Sequence, residues 1–255
     1  MLIDADHRGE TNIYPVETYI NLKNRCSEEL SRIPNVHSIV MCGSVVKGSL
    51  VPGWSDLDIV LIMNGYNLNL SDLEKIKKAI ELAKNFINIG IGLDVVGYSQ
   101  FIRDNKFGGR PLAMTIEVAA YGEVVFGKSP FVNDLSPNQF TERLIQEKRI
   151  GILAEIHNWR RSYLLRKKDI DYSFLAYTVK TLLKILTFEA GPKTKAPFTY
   201  EGALEIIRQV GYPELNHFIQ AVTTRANWAG MLERERDLIP TFQQISTAIN
   251  HYTVK

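Results

Sequence analysis

Residues 42–63 read CGSVVKGSLVPGWSDLDIVLIM, and within them glycine, serine and aspartate stand at spacings that suit phosphate and metal chemistry. Gly43 and Ser44 follow a β-rich run and precede a short segment expected to be helical. At such a junction free backbone N–H groups and the positive end of a helix dipole can hold phosphate oxygens. Glycine allows close approach, and Ser44 adds a hydroxyl. Asp56 and Asp58 stand two apart at the start of a strand, so both carboxylates are expected on one face of a sheet. Two carboxylates so placed repel unless a cation lies between them, and hard oxygen ligands favour Mg²⁺ or Mn²⁺. Asp94 is a third acid, embedded in the apolar run IGLDVVGY. Should its strand pair with the one containing Asp58, three carboxylates meet. Such a group can hold two cations about 4 Å apart, one activating a hydroxyl and one steadying a triphosphate and its departing pyrophosphate.

The elements that must position these residues are legible in the hydrophobic pattern. Pro15 opens a helix running through Ile33, with Tyr19, Leu22, Cys26 and Leu30 on one stripe, and Pro34-Asn35 ends it. Residues 36–43 and Leu57–Met63 read as strands, joined by a turn and short helix around 44–50. Ser71 and Glu74 form a capping box for a helix reaching about Ile87, with Leu73, Ile76, Ile80 and Ala83 facing inward. A third strand is expected at 91–98, a helix around 111–120, and a short strand, EVVFG, at 123–127. Glu117, within the helix around 111–120, is expected either at the cleft or, as the simpler reading, on the surface or in the first turn. None of the scattered histidines, His7, His37, His157, His217 and His251, has ligand spacing.

The chain changes character near residue 137. Before it strands alternate with helices; after it helices are expected near 137–167, 171–189, 199–210, 213–229 and 236–253, divided by Gly and Pro breaks. The sequence therefore implies an α+β protein with domains at 1–136 and 137–255, the second a helical bundle centred on the nearly all-apolar segment 172–188.

Composition is that of a globular chain: 255 residues, 45% hydrophobic and 23% charged. No run of 18 apolar residues and no secretory leader is evident, so a soluble, cytoplasmic protein is expected. Cys26 and Cys42 are too few for a disulfide framework and lack zinc spacing. The net charge of +2 hides an asymmetry: residues 1–140 carry 13 basic against 16 acidic side chains, and residues 141–255 carry 17 against 12. Much of the basic excess lies in Arg160, Arg161, Arg166, Lys167 and Lys168. These form either a solvated helix face or a surface for an anionic partner.

Taken together, Gly43-Ser44-x-x-x-Gly48, Ser55-Asp56-x-Asp58 and Asp94 on a separate strand resemble the nucleotidyltransferase superfamily typified by DNA polymerase β. The resemblance implies a mixed sheet with helices on one side, an NTP donor, and transfer of a nucleoside monophosphate with release of pyrophosphate. By it Asp56 and Asp58 are expected to bind the metals, and Asp94 to be a metal ligand or general base. Gly43 and Ser44, with Ser55 beside them in the motif, are expected at the nucleotide.

The second half resembles the helical domain of the streptomycin/spectinomycin (aminoglycoside) adenylyltransferases, through GPKTK at 191–195, EGALEIIRQVGYPEL at 201–215 and TRANWAG at 224–230. This implies ATP as donor and nucleotide contacts from Lys195, or equally Lys193, and from Trp228. One departure bears on the acceptor. Aminoglycosides are polycations that need acidic sites, whereas this chain places its basic residues on the first long C-terminal helix. Three functions are therefore expected to compete. They are nucleotidyl transfer to a small hydroxylated acceptor; transfer to RNA, tRNA or protein in the manner of a toxin; and an inactive nucleotide-binding module. Oligomeric state is not legible.

Overall fold

In the computed structural model the described residues are 13–65, 69–104 and 112–131, together with 205, 208, 209, 222, 223 and 225–227. The chain divides into two compact units. Residues 14–50 and 55–139 fall in the first, and residues 51–54 and 140–255 in the second. The expected boundary at 136/137 lies outside the described residues. So does most of the expected bundle, although Glu205, Arg208 and Gln209, then Val222, Thr223, Arg225 and Ala226, are helical within two of its expected helices.

The first unit contains, in chain order, α1 (Val16–Ser31), β1 (Val36–Cys42), β2 (Leu57–Met63), α2 (Leu70–Lys84), β3 (Ile91–Gly97), α3 (Tyr98–Asp104), α4 (Leu112–Tyr121) and β4 (Glu123–Gly127). The strands form one mixed sheet in the order β3-β2-β1-β4. β1 is antiparallel to both β2 and β4, and β2 is parallel to β3. This is the α+β, mixed-sheet architecture that the sequence implies.

The alternation of strand residues settles where the core lies. Ile39, Met41, Leu57, Ile59 and Leu61 point to one face, where they join Tyr19, Leu22, Cys26 and Leu30 of α1 and Ile76, Ala79, Ile80 and Ala83 of α2. Val40, Val60, Ile62 and Val96 point to the other and meet Phe101 of α3 and Val118 of α4. Helices thus cover both faces, which corrects the expectation of helices on one side only. That expectation came from the resemblance; here α3, a helix of seven residues, and α4 both pack on the second face.

Two local expectations are also corrected. Residues 44–48 form a turn rather than a short helix. It is held by Lys47 N–H donating to the Gly43 carbonyl at 3.2 Å and Ser49 N–H donating to the Ser44 carbonyl at 3.1 Å. The N-cap of α2 is Asn69, not Ser71: its side chain accepts from the Asp72 N–H at 2.9 Å. The inward stripe also differs at one position: Ala79 is buried, and Leu73 is 39% exposed. At the far end Asn85 adopts a left-handed conformation with φ 40°, a state asparagine tolerates, and closes the helix. No helix among the described residues is long and apolar enough to cross a membrane.

Candidate active site

The site is assembled at the end of β1 and the beginning of β2. Cys42, the last residue of β1, pairs with Asp58, and its thiol donates to the Asp58 backbone carbonyl at 3.7 Å. On the other side of β2, Asp58 pairs with Gly92 of β3, a register fixed at its start by Leu57 N–H donating to the Gly90 carbonyl at 2.9 Å. Side chains alternate along a strand, so Asp58 and Val60 share a face, as do their partners Gly92 and Asp94. The expected pairing of the third strand beside the second is therefore present. It brings Asp94 to the same face of the sheet as Asp58.

Two glycines make room for the Asp58 carboxylate. A Cβ on Gly43 would collide with Asp58 Oδ2, and a Cβ on Gly92 would lie 2.7 Å from Oδ1. Gly43 also has φ +74°, the left-handed region that side chains rarely adopt. Gly43 thus serves two needs: it turns the chain out of β1, and it lets the backbone of the 43–48 turn pass directly against the carboxylate. Asp56, one residue before β2, is 9% exposed, and Ser55 is 8% exposed. Ser44 lies within the turn, partly buried.

A further acid joins them from α4. Burial pushes the Cys42 thiol well above its ordinary range, and the negative charges of Asp58, Glu117 and Asp94 add to the shift, while Lys47 opposes it. All three carboxylates therefore act on one thiol at the end of β1. Glu117 forms an ion pair with Lys47, whose side chain is 10% exposed. The same Lys47 ammonium stands 5.7 Å from the centre of the Tyr121 ring. The Tyr121 hydroxyl is itself held above its usual range, by burial and then by Glu117.

Of the two placements open to Glu117, the structure selects the one beside the turn, paired with Lys47. The pairing of residues 47 and 117 depends on the packing of α4, which no local pattern encodes. The one available signal was a lysine inside a glycine-flanked turn and a glutamate inside an otherwise apolar helix. Lys195, Lys193, Trp228 and the basic residues 160, 161 and 166–168 lie outside the described residues.

Residues 21–89 match the family model described as a nucleotidyltransferase domain. The match supports the nucleotidyltransferase superfamily for this part of the chain. The matched span runs from α1 through α2 and contains Gly43, Ser44, Lys47, Ser55, Asp56 and Asp58. Asp94 and Glu117 lie beyond it. No curated protein matches the chain.

The donor set is chemically suited to a divalent cation. Among the described residues no three His, Cys, Asp or Glu side chains are already gathered to hold one metal ion. Mg²⁺ is commonly held by one or two carboxylates, with substrate phosphates and water completing the octahedron. Aspartates beside an open turn fit that mode. A closed cage of protein ligands is not what they offer.

Proposed function

We propose that the protein is a metal-dependent nucleotidyltransferase that moves a nucleoside monophosphate, AMP from ATP, onto a hydroxyl of an acceptor and releases pyrophosphate. The observation that carries this reading is the Asp58 carboxylate set between the backbones of Gly43 and Gly92. The turn after β1 and this carboxylate are neighbours inside the matched segment, as a phosphate site beside a metal site requires.

In this reading Asp56 and Asp58 hold Mg²⁺ or Mn²⁺, and the backbone N–H groups of the turn, with the Ser44 hydroxyl, receive the β- and γ-phosphates. Ser55 steadies the nucleotide side of the pocket. Bound divalent ions, two in the full arrangement, supply charge neutralisation at the triphosphate and acidify the acceptor hydroxyl. Asp94, on the same face as Asp58, serves as a further metal ligand or accepts the acceptor's proton. The acceptor oxygen forms a bond to the α-phosphorus as the bond to pyrophosphate breaks, and pyrophosphate carries away the electron pair. In the second half Lys195, or Lys193, and Trp228 would contact the nucleotide.

The acceptor is a small hydroxylated molecule of the aminoglycoside kind, or RNA. RNA is favoured by the balance of 17 basic against 12 acidic side chains in residues 141–255. Incubation of the chain with α-labelled ATP and Mg²⁺, alone, with an aminoglycoside panel, and with RNA, tests the proposal. The expected outcome is labelled product and pyrophosphate with one acceptor class. Asp56→Asn should reduce the rate on the order of 10³-fold, as loss of a charge-stabilising group at the reacting centre does. Full turnover in Asp56→Asn, or equal turnover in EDTA, refutes the metal assignment; binding of ATP without transfer to any acceptor points to an inactive module.

A further inference from the structure

We infer that the ion pair between Lys47 and Glu117 is a strut that fixes the phosphate-holding turn, and that Glu117 is a positioning residue for NTP binding. The inference rests on the reading of the 43–48 turn given above. It adds a role for a residue of α4 that lies outside the matched domain segment.

The turn is tied to the rest of the unit in two directions. On one side Val45, Val46 and Leu50 pack against the apolar cluster beneath α1 and α2. On the other, Lys47 reaches Glu117 and passes over the ring of Tyr121. The turn's own backbone contributes the Lys47 and Ser49 N–H bonds at 3.2 and 3.1 Å. Side-chain anchors on both sides add to these backbone bonds, and a phosphate site needs the N–H groups aimed before the ligand arrives.

Glu117 is suited to the task by its surroundings. Its side chain is 26% exposed and that of Lys47 10%, so the pair is shielded enough to be little screened by salt. Asp58 and Asp94 share a face of the sheet, and the Asp58 carboxylate lies against Gly43 at the start of the turn. Lys47 unpaired from Glu117 would be drawn toward those carboxylates and would drag the turn into the volume a metal and phosphates need. Glu117 prevents this by supplying a carboxylate of its own from α4.

An opposing assignment makes Lys47 a phosphate ligand that Glu117 restrains, and the two differ in sign. For a strut, Glu117→Gln lowers kcat/KM for Mg²⁺–ATP by about 10- to 100-fold, the scale of misplacing a binding group by an ångström or so, with most of the loss in KM. Glu117→Asp recovers part of it, and Lys47→Met combined with Glu117→Gln is no worse than the poorer single variant. For a restrained ligand, Glu117→Gln frees the cation and KM falls; that result overturns the inference.

Amide hydrogen exchange supplies a readout independent of catalysis. In Glu117→Gln the Lys47 and Ser49 amides should exchange faster while those of Ile39, Val40 and Met41 in β1 stay protected. Unchanged exchange at Lys47 and Ser49 refutes the strut, and faster exchange throughout β1 assigns the pair to global stability instead. If the wild-type chain transfers no nucleotide to any acceptor, the reading of the site fails, and exchange alone then decides whether the strut exists.

Discussion

The two faces of the sheet are built from alternate residues of the same strands, yet they do different things. Beneath α1 and α2, Ile39, Met41, Ile59 and Leu61 lie among leucines, isoleucines and alanines from both helices. On the opposite face Val40, Val60 and Val96 make a smaller apolar patch with Phe101 and Val118. Continuing the same alternation past that patch come Cys42, Asp58 and Asp94. Charged groups on the first face would lose hydration with nothing to replace it. On the second, Asp58 and Asp94 share a side of the sheet, and the turn after β1 passes against the Asp58 carboxylate. One register therefore determines both the core and the site, and a slip of one residue in β2 would bury Asp58 among leucines.

The sharpest way to break this contrast is to exchange the consequences of mutating neighbouring β2 residues. Asp58→Asn should reduce transfer on the order of 10³-fold and leave the unfolding midpoint unchanged or slightly raised, because repulsion among nearby carboxylates is relieved. Leu61→Ala, three residues away and fully buried, should cost about 2–5 kcal/mol in denaturant unfolding while turnover per folded molecule is retained. If Asp58→Asn mainly unfolds the protein, or Leu61→Ala mainly slows it, the division between the faces is wrong.

Gly92→Ala sharpens the contrast on a finer scale. The added methyl meets Asp58 Oδ1 at 2.7 Å, while the nearest backbone atom, the Asp58 Cα, is 4.0 Å away. Only the tip of a side chain must move, and alanine loses less backbone entropy on folding than glycine does. Stability should change by less than about 1 kcal/mol, and transfer should fall about 10- to 100-fold as the carboxylate shifts. Kinetics and unfolding measured on the same preparation separate the two, and a loss of stability without loss of rate would show that the carboxylate's exact position does not matter.

Most of what positions the site was legible because it is local and periodic. Leu57–Met63 and Glu123–Gly127 are strands with the boundaries their β-branched runs suggest, and the α1 stripe of Tyr19, Leu22, Cys26 and Leu30 is buried as its spacing requires. The pairing of β3 beside β2 could be posed only as a condition, since parallel partners are chosen by packing across a crossover and not by a turn. The choice between cleft and surface for Glu117 was out of reach for a similar reason. Its partner lies 70 residues away, and a glutamate in a helix has the same local pattern whether it faces water or a lysine. Of the turn and short helix expected around 44–50 only the turn is present, because Val45, Val46 and Leu50 pack against the α1 and α2 cluster.

The smallest expected effect tests the apolar face at its margin. Asn69→Ala removes the side-chain oxygen that accepts from the Asp72 N–H at 2.9 Å, leaving one of the first amides of α2 to water. Loss of such a cap typically costs about 1 kcal/mol. Ser71 cannot replace it without starting the helix two residues later. That would withdraw Leu70 and Ser71, both exposed, and leave Ile76, Ala79, Ile80 and Ala83 in place. The variant should therefore unfold at slightly lower denaturant with an unaltered slope and normal transfer kinetics. A change in KM for ATP would instead mean that the end of α2 communicates with the carboxylate face, through a sheet whose intervening layer is packed with Ile59 and Leu61.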